Sequence, residues 1–120
     1  MCIQDIKIAK SQETRATSVN CPSGATTQIA GLANNRVRVR FAPTSITGAI
    51  GNLNVVIQYV GDSAAIGIGF ISAGVPYVEL TLEDNSHFVK GPFQAANSSG
   101  VAVPIGVAEV LQNTDPEDAI

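Results

Sequence analysis

Residues 36–41 read Arg-Val-Arg-Val-Arg-Phe and residues 78–82 read Val-Glu-Leu-Thr-Leu. A strict two-residue period makes sense only for an extended strand, whose successive side chains leave on opposite faces. The first run puts Val37, Val39 and Phe41 on one face and Arg36, Arg38 and Arg40 on the other. The second turns Val78, Leu80 and Leu82 inward and Glu79 and Thr81 outward. LNVVIQYV (53–60) aligns Leu53, Val55, Ile57 and Tyr59, with Val56 and Val60 on a second, partly apolar face. In AIGIGFI (65–71), alternation sets Ile66, Ile68 and Phe70 against Ala65, Gly67, Gly69 and Ile71. Two glycines on one strand face fit either sheet curvature or close approach of a second sheet or subunit.

Further short strands are predicted over 4–9, 14–19, 26–30, 87–89, 93–96 and 105–111. Turn-forming residues punctuate them at Pro22–Gly24, Ala33–Asn35, Thr47–Gly51, Gly61–Asp62, Ala73–Gly74, Asp84–Asn85 and Asn97–Gly100. Only VAEVLQ (107–112) has any helical periodicity, and strand fits it better. Many short strands divided by Gly- and Pro-rich turns predict an all-β chain: an antiparallel β-sandwich, jelly-roll-like or a small barrel. The 120 residues suffice for a single β domain over 1–120, with an N-terminal arm at about 1–13 and an acidic tail, QNTDPEDAI, at 112–120.

Composition narrows the function classes. Hydrophobic residues make up 45%, aromatics only 5% and charged residues 14%, so the core must come from aliphatic side chains. A net charge of -3 speaks against phosphate-driven nucleic-acid binding. Charge is uneven along the chain. Residues 1–40 set Lys7, Lys10, Arg15, Arg36, Arg38 and Arg40 against Asp5 and Glu13, whereas 41–120 set Lys90 alone against eight carboxylates. Such a division suits pairing within the chain or head to tail between copies. No secretion signal or membrane span is expected: MCIQDIKIAKSQ has no apolar core, and AAIGIGFISAGV (64–75) is too short to cross a bilayer.

Chemistry-bearing constellations are sparse. His87 is the sole histidine, and its neighbour Ser86 would point away from it in a regular strand. Cys2, Cys21 and His87 lack metal-ligand spacing, so no metal and no cofactor are expected. Whether Cys2 and Cys21 are bridged stays open, with two reduced thiols the simpler state. Gly67–Phe70 precedes neither a helix nor a Lys-Ser/Thr pair, which a phosphate loop requires. Asn97-Ser98-Ser99 spells a glycosylation sequon, expected to be fortuitous without a secretion signal. The candidate interface residues are therefore Arg36, Arg38 and Arg40, with Glu79, Asp115, Glu117 and Asp118 as their carboxylate partners. At least one arginine is expected to meet a carboxylate, and some such contacts to cross between copies.

The segments Asn35–Val39, Ile66-Gly67, Leu80–Leu82, Gly91–Phe93 and Val107–Val110 follow one another as strand and turn signatures over about residues 25–111. In this succession the chain resembles small β-rich virion structural proteins of tailed bacteriophages, of the head decoration or cement type. The resemblance implies a non-enzymatic capsid cement or decoration protein. Its partners would be the major capsid protein or other virion proteins, with neither nucleic acid nor membrane involved. It further implies a homo-oligomer, a trimer first, made in the host cytoplasm and located in the virion. A tail or fibre module that binds a receptor or carbohydrate is the alternative, with Tyr59 and Tyr77 its only tyrosines.

Overall fold

The computed structural model describes residues 12–44 and 52–113. The strand predicted at 4–9, the turn at 47–51, Cys2 and the carboxylates Asp115, Glu117 and Asp118 lie outside the described residues. Eight strands make up the rest: β1 (Gln12–Cys21), β2 (Ala25–Ala30), β3 (Arg36–Pro43), β4 (Asn54–Val60), β5 (Ala65–Ser72), β6 (Val78–Thr81), β7 (Phe93–Asn97) and β8 (Val103–Gln112). All pairings are antiparallel. They form two four-stranded sheets of order β1-β8-β3-β6 and β2-β7-β4-β5. Apart from the β4–β5 hairpin, every consecutive pair of strands is split between the sheets. Two interleaved four-stranded sheets of this order make an eight-stranded jelly roll, one of the architectures expected from the alternation.

The core lies between the sheets. Val39, Phe41, Leu80, Ile105 and Val107 of the first sheet face Ile57, Ile71, Phe93 and Ala95 of the second, all at most 3% exposed. Phe41 and Phe93 meet edge to face across the layer, with ring centroids 5.0 Å apart. Aliphatic burial of this kind stabilises by about 1.5–3 kcal/mol per fully enclosed side chain. Both ends of the sandwich are polar inside: Arg36 and Glu109 at one, Asn97 at the other, and each is at most 5% exposed.

Three local expectations are corrected. Residues 87–89 are not a strand: a one-turn helix α1 (Leu82–Asn85) leads into a 3-10 helix over Ser86–Lys90. Thr81 stops the preceding strand, because its hydroxyl accepts from the Asp84 amide while the Asn85 side chain accepts from the Thr81 amide. Thr and Asn side chains in that role compete with sheet pairing for the backbone.

The other two corrections are bulges. In β3, Arg36 lies opposite Leu111 and Arg38 opposite Val110, so Val37 is an extra residue without a partner. Arg36 thereby turns inward, off the face that Arg38 and Arg40 share, and Val37 is half-buried rather than core. In β5, Gly69 lies opposite Ile57 and Gly67 opposite Gln58, so the two glycines occupy opposite faces and Ile68 is the extra residue. Phe70 consequently joins the outer face, where it is 51% exposed, and Ile71 enters the core. A single inserted residue inverts everything on one side of it, because the side-chain period is two.

Candidate functional site

The first sheet presents Arg38, Arg40 and Glu79 on its outer face. Register sets Arg40 against Glu79 on β6, and Arg38 reaches diagonally to the same carboxylate. The Arg38 Nη2 donates to Glu79 Oε2 at 2.9 Å, and Arg40 Nη1 stands 4.0 Å from Oε1. The Arg40 guanidinium also lies 4.3 Å over the Tyr77 ring. Both arginines are more than half exposed, so each pair contributes only about 0–1 kcal/mol. The expected contact between an arginine of this strand and a carboxylate is present, within one chain.

Arg36 belongs to a different constellation. Its Nε donates to Glu109 Oε1 at 2.6 Å, with Nη2 against the same oxygen, and its amines donate to the Lys90 carbonyl at 2.8 Å and the Gly31 carbonyl at 3.0 Å. At 2% exposure it is not available to a partner on the outer face. Arg15, opposite Glu109 in the β1–β8 register, donates from Nε to Glu109 Oε2 at 3.1 Å. Two guanidiniums therefore share one buried carboxylate. Neither Arg15 nor Glu109 was among the interface residues expected from the sequence, although the signal was present. In VPIGVAEVLQ, Glu109 stands in register with Val103, Ile105, Val107 and Leu111, and a charge on an apolar strand face requires a buried partner.

The second sheet is a contrast: none of the residues in β2, β4, β5 or β7 is charged. Its outer face carries Thr26, Gln94, Ala96, Val56, Gln58 and Phe70, with the Gln94 amide donating to Gln58 at 2.6 Å. Its edge strand β5 has neither charge nor proline, and exposes Ile66 at 50% and Phe70 at 51%. Every strand-borne charge of the described residues lies in the other sheet.

No family model and no curated protein matches the chain. Among solved structures the chain is similar to the crystal structure of Yersinia pseudotuberculosis-derived mitogen, with a TM-score of 0.45 and 11% identity, covering 91% of this chain and 93% of that one.

The remaining reactive groups have structural surroundings. His87 is exposed on the 3-10 helix and packs its ring against Phe88 and Tyr59 at 4.3 and 5.9 Å. Cys21 is a buried free thiol whose pKa burial pushes above its ordinary value of 9.0, the opposite of an activated nucleophile. Asn97 donates to the Cys21 and Val101 carbonyls at 2.8 and 2.9 Å, while its carbonyl oxygen accepts from the Ser99 amide. With its amide nitrogen engaged and 1% exposure, the sequon is closed to a glycan.

Proposed function

We propose that this chain is a non-catalytic structural protein that works by binding other proteins, and specifically a phage virion protein of the capsid cement or decoration type. The observation that carries the reading is the charge-free second sheet, whose eight-residue edge strand β5 has neither charge nor proline. Interface cores are depleted in charge, and edge strands of free-standing proteins are ordinarily blunted by charge, proline or shortness. The edges of the first sheet have such devices, since β6 is four residues long and β1 carries Glu13 and Arg15, whereas β2 and β5 have only a one-residue bulge each. The eight-stranded jelly roll, an architecture that recurs in viral capsid domains, and the sequence resemblance over about 25–111 support the virion assignment. A fold alone would not.

The test has two parts. Light scattering behind size exclusion is expected to find a homo-oligomer, a trimer first, that Phe70→Lys converts to monomer without changing the urea midpoint. Particles purified from an infected host are expected to contain the chain, with its density on the head by cryo-electron microscopy. A stable monomer absent from particles overturns the reading. Glycan binding lost in Tyr77→Ala would replace it with a receptor-binding module. Against that stands Arg40, which already occupies the Tyr77 face.

A further inference from the structure

The sandwich gapes where β1 lies over β2. A cleft of about 370 Å³ opens there, with Arg15, Thr17, Arg36 and Glu109 on one wall and Ile29 to Ala33 on the other. Its floor is charged and enclosed, since Arg36 and Glu109 are 2% and 5% exposed. Its rim is apolar: Leu32 stands 63% exposed at the mouth.

The charges in it do not balance. Arg36 is committed on all sides, to Glu109, to Lys90 and to Gly31. Glu109 is shared between two cations, so the trio carries one uncompensated positive charge. That charge resides on Arg15, whose side chain is 49% exposed and which, among the described residues, uses only its Nε–H of five donors. Glu13, two positions away on the same face of β1, stands about 6.5–7 Å along the strand and forms no ion pair among the described residues. A guanidinium with two free parallel N–H groups matches a carboxylate bidentately.

We propose that this cleft receives a carboxylate carried on a short apolar stem. The carboxylate pairs with the terminal amines of Arg15 and supplies the missing counter-charge, while the stem packs on Leu32 and Ile29. Such a group can come from a free branched-chain acid or from the C-terminus of a peptide, and both present the same chemistry to the site. The cleft lies on the opposite lateral edge from β5, so this inference does not depend on the charge-free sheet or on the proposed function.

Isotope-labelled protein is titrated with isovalerate, with its neutral amide isovaleramide, with inorganic phosphate, and with an acetylated tripeptide ending in leucine, as free acid and as amide. The expected result is saturable shifts confined to the Arg15 Nε–H, the Ala30 amide and the Leu32 methyls. These appear with isovalerate or the acid peptide and not with either amide. Saturation by isovalerate identifies a free acid as sufficient, and saturation by the peptide alone identifies a protein terminus. Arg15→Gln, which leaves Glu109 paired with Arg36, is expected to weaken binding about tenfold. Three results overturn the proposal: no saturable shift at these residues, equal binding of acid and amide, or equal binding of phosphate.

Discussion

Arg36 and Arg38 are two positions apart, yet the first side chain is 2% exposed and the second 56%. Arg38 is exposed and paired across the sheet surface, whereas Arg36 is buried and holds Glu109 and the backbone carbonyls of Val89, Lys90 and Gly31. Removing one partner of a buried charge pair costs about 3–5 kcal/mol, while an exposed pair is worth about 0–1 kcal/mol. Although Arg15 stays beside Glu109, losing Arg36 also takes the donor from backbone carbonyls at Lys90 and Gly31. Urea unfolding of Arg36→Ala is therefore expected to show a loss near the first figure, and Arg38→Ala near the second. The same distinction marks the limit of the sequence. Alternation located β3 and its apolar face, but it assigned Arg36 by counting, and the count fails at Val37. What Glu109 demands is stated seventy-three positions away, and only pairing in space brings the two statements together. Cys21 yields a second residue-scale expectation. Its pKa is raised in the folded state, so the unfolded chain ionises first. Stability should be unaffected well below the ordinary value of 9.0 and fall as pH climbs through and above it. Denaturation curves across that interval, compared with Cys21→Ala, check the sign.

Among the elements, β5 shows most clearly how a one-residue insertion does its work. Because Ile68 is extra, Gly69 faces the other sheet and Gly67 faces out. A methyl group built on Gly69 would stand 2.5–2.7 Å from the Val78 methyls, whereas one on Gly67 would meet Val56 at 3.4 Å, an ordinary contact. Val78 is β-branched and buried, so it has little room to yield. Gly69→Ala is expected to cost about 1–3 kcal/mol, and Gly67→Ala to stay within about 0.5 kcal/mol of wild type, both by urea melts. Close approach of a second sheet was one of two readings open to the glycines from sequence, and it holds for Gly69 alone. Strands with clean alternation, such as β4, β6 and β8, were legible because each buries one face. The helical turns over 82–90 were not, because Phe88 and Val89 are as apolar as a short strand. The capping by Thr81 and Asn85 that decides the matter is local polar chemistry, with no period to read.

For the molecule as a whole, the interleaving of the sheets has a thermodynamic corollary. Neither sheet is built from a contiguous stretch of chain, so neither can persist while the other melts. Unfolding is expected to be a single transition. In a Cys2→Ser background, the urea dependence of far-ultraviolet circular dichroism should coincide with that of Cys21 labelling by a thiol reagent. A thiol exposed before the strands are lost would reveal an independently opening half. The β1–β8 pairing carries a different sort of consequence. Gln12 sits directly opposite Gln112, so the framework takes in its chain and gives it back at neighbouring points of one edge. The first and last described strands therefore lie side by side on the flank away from β5. The pairing of greatest sequence separation thus seals one edge of the first sheet, so folding must bring the first and last described strands together before that edge is complete.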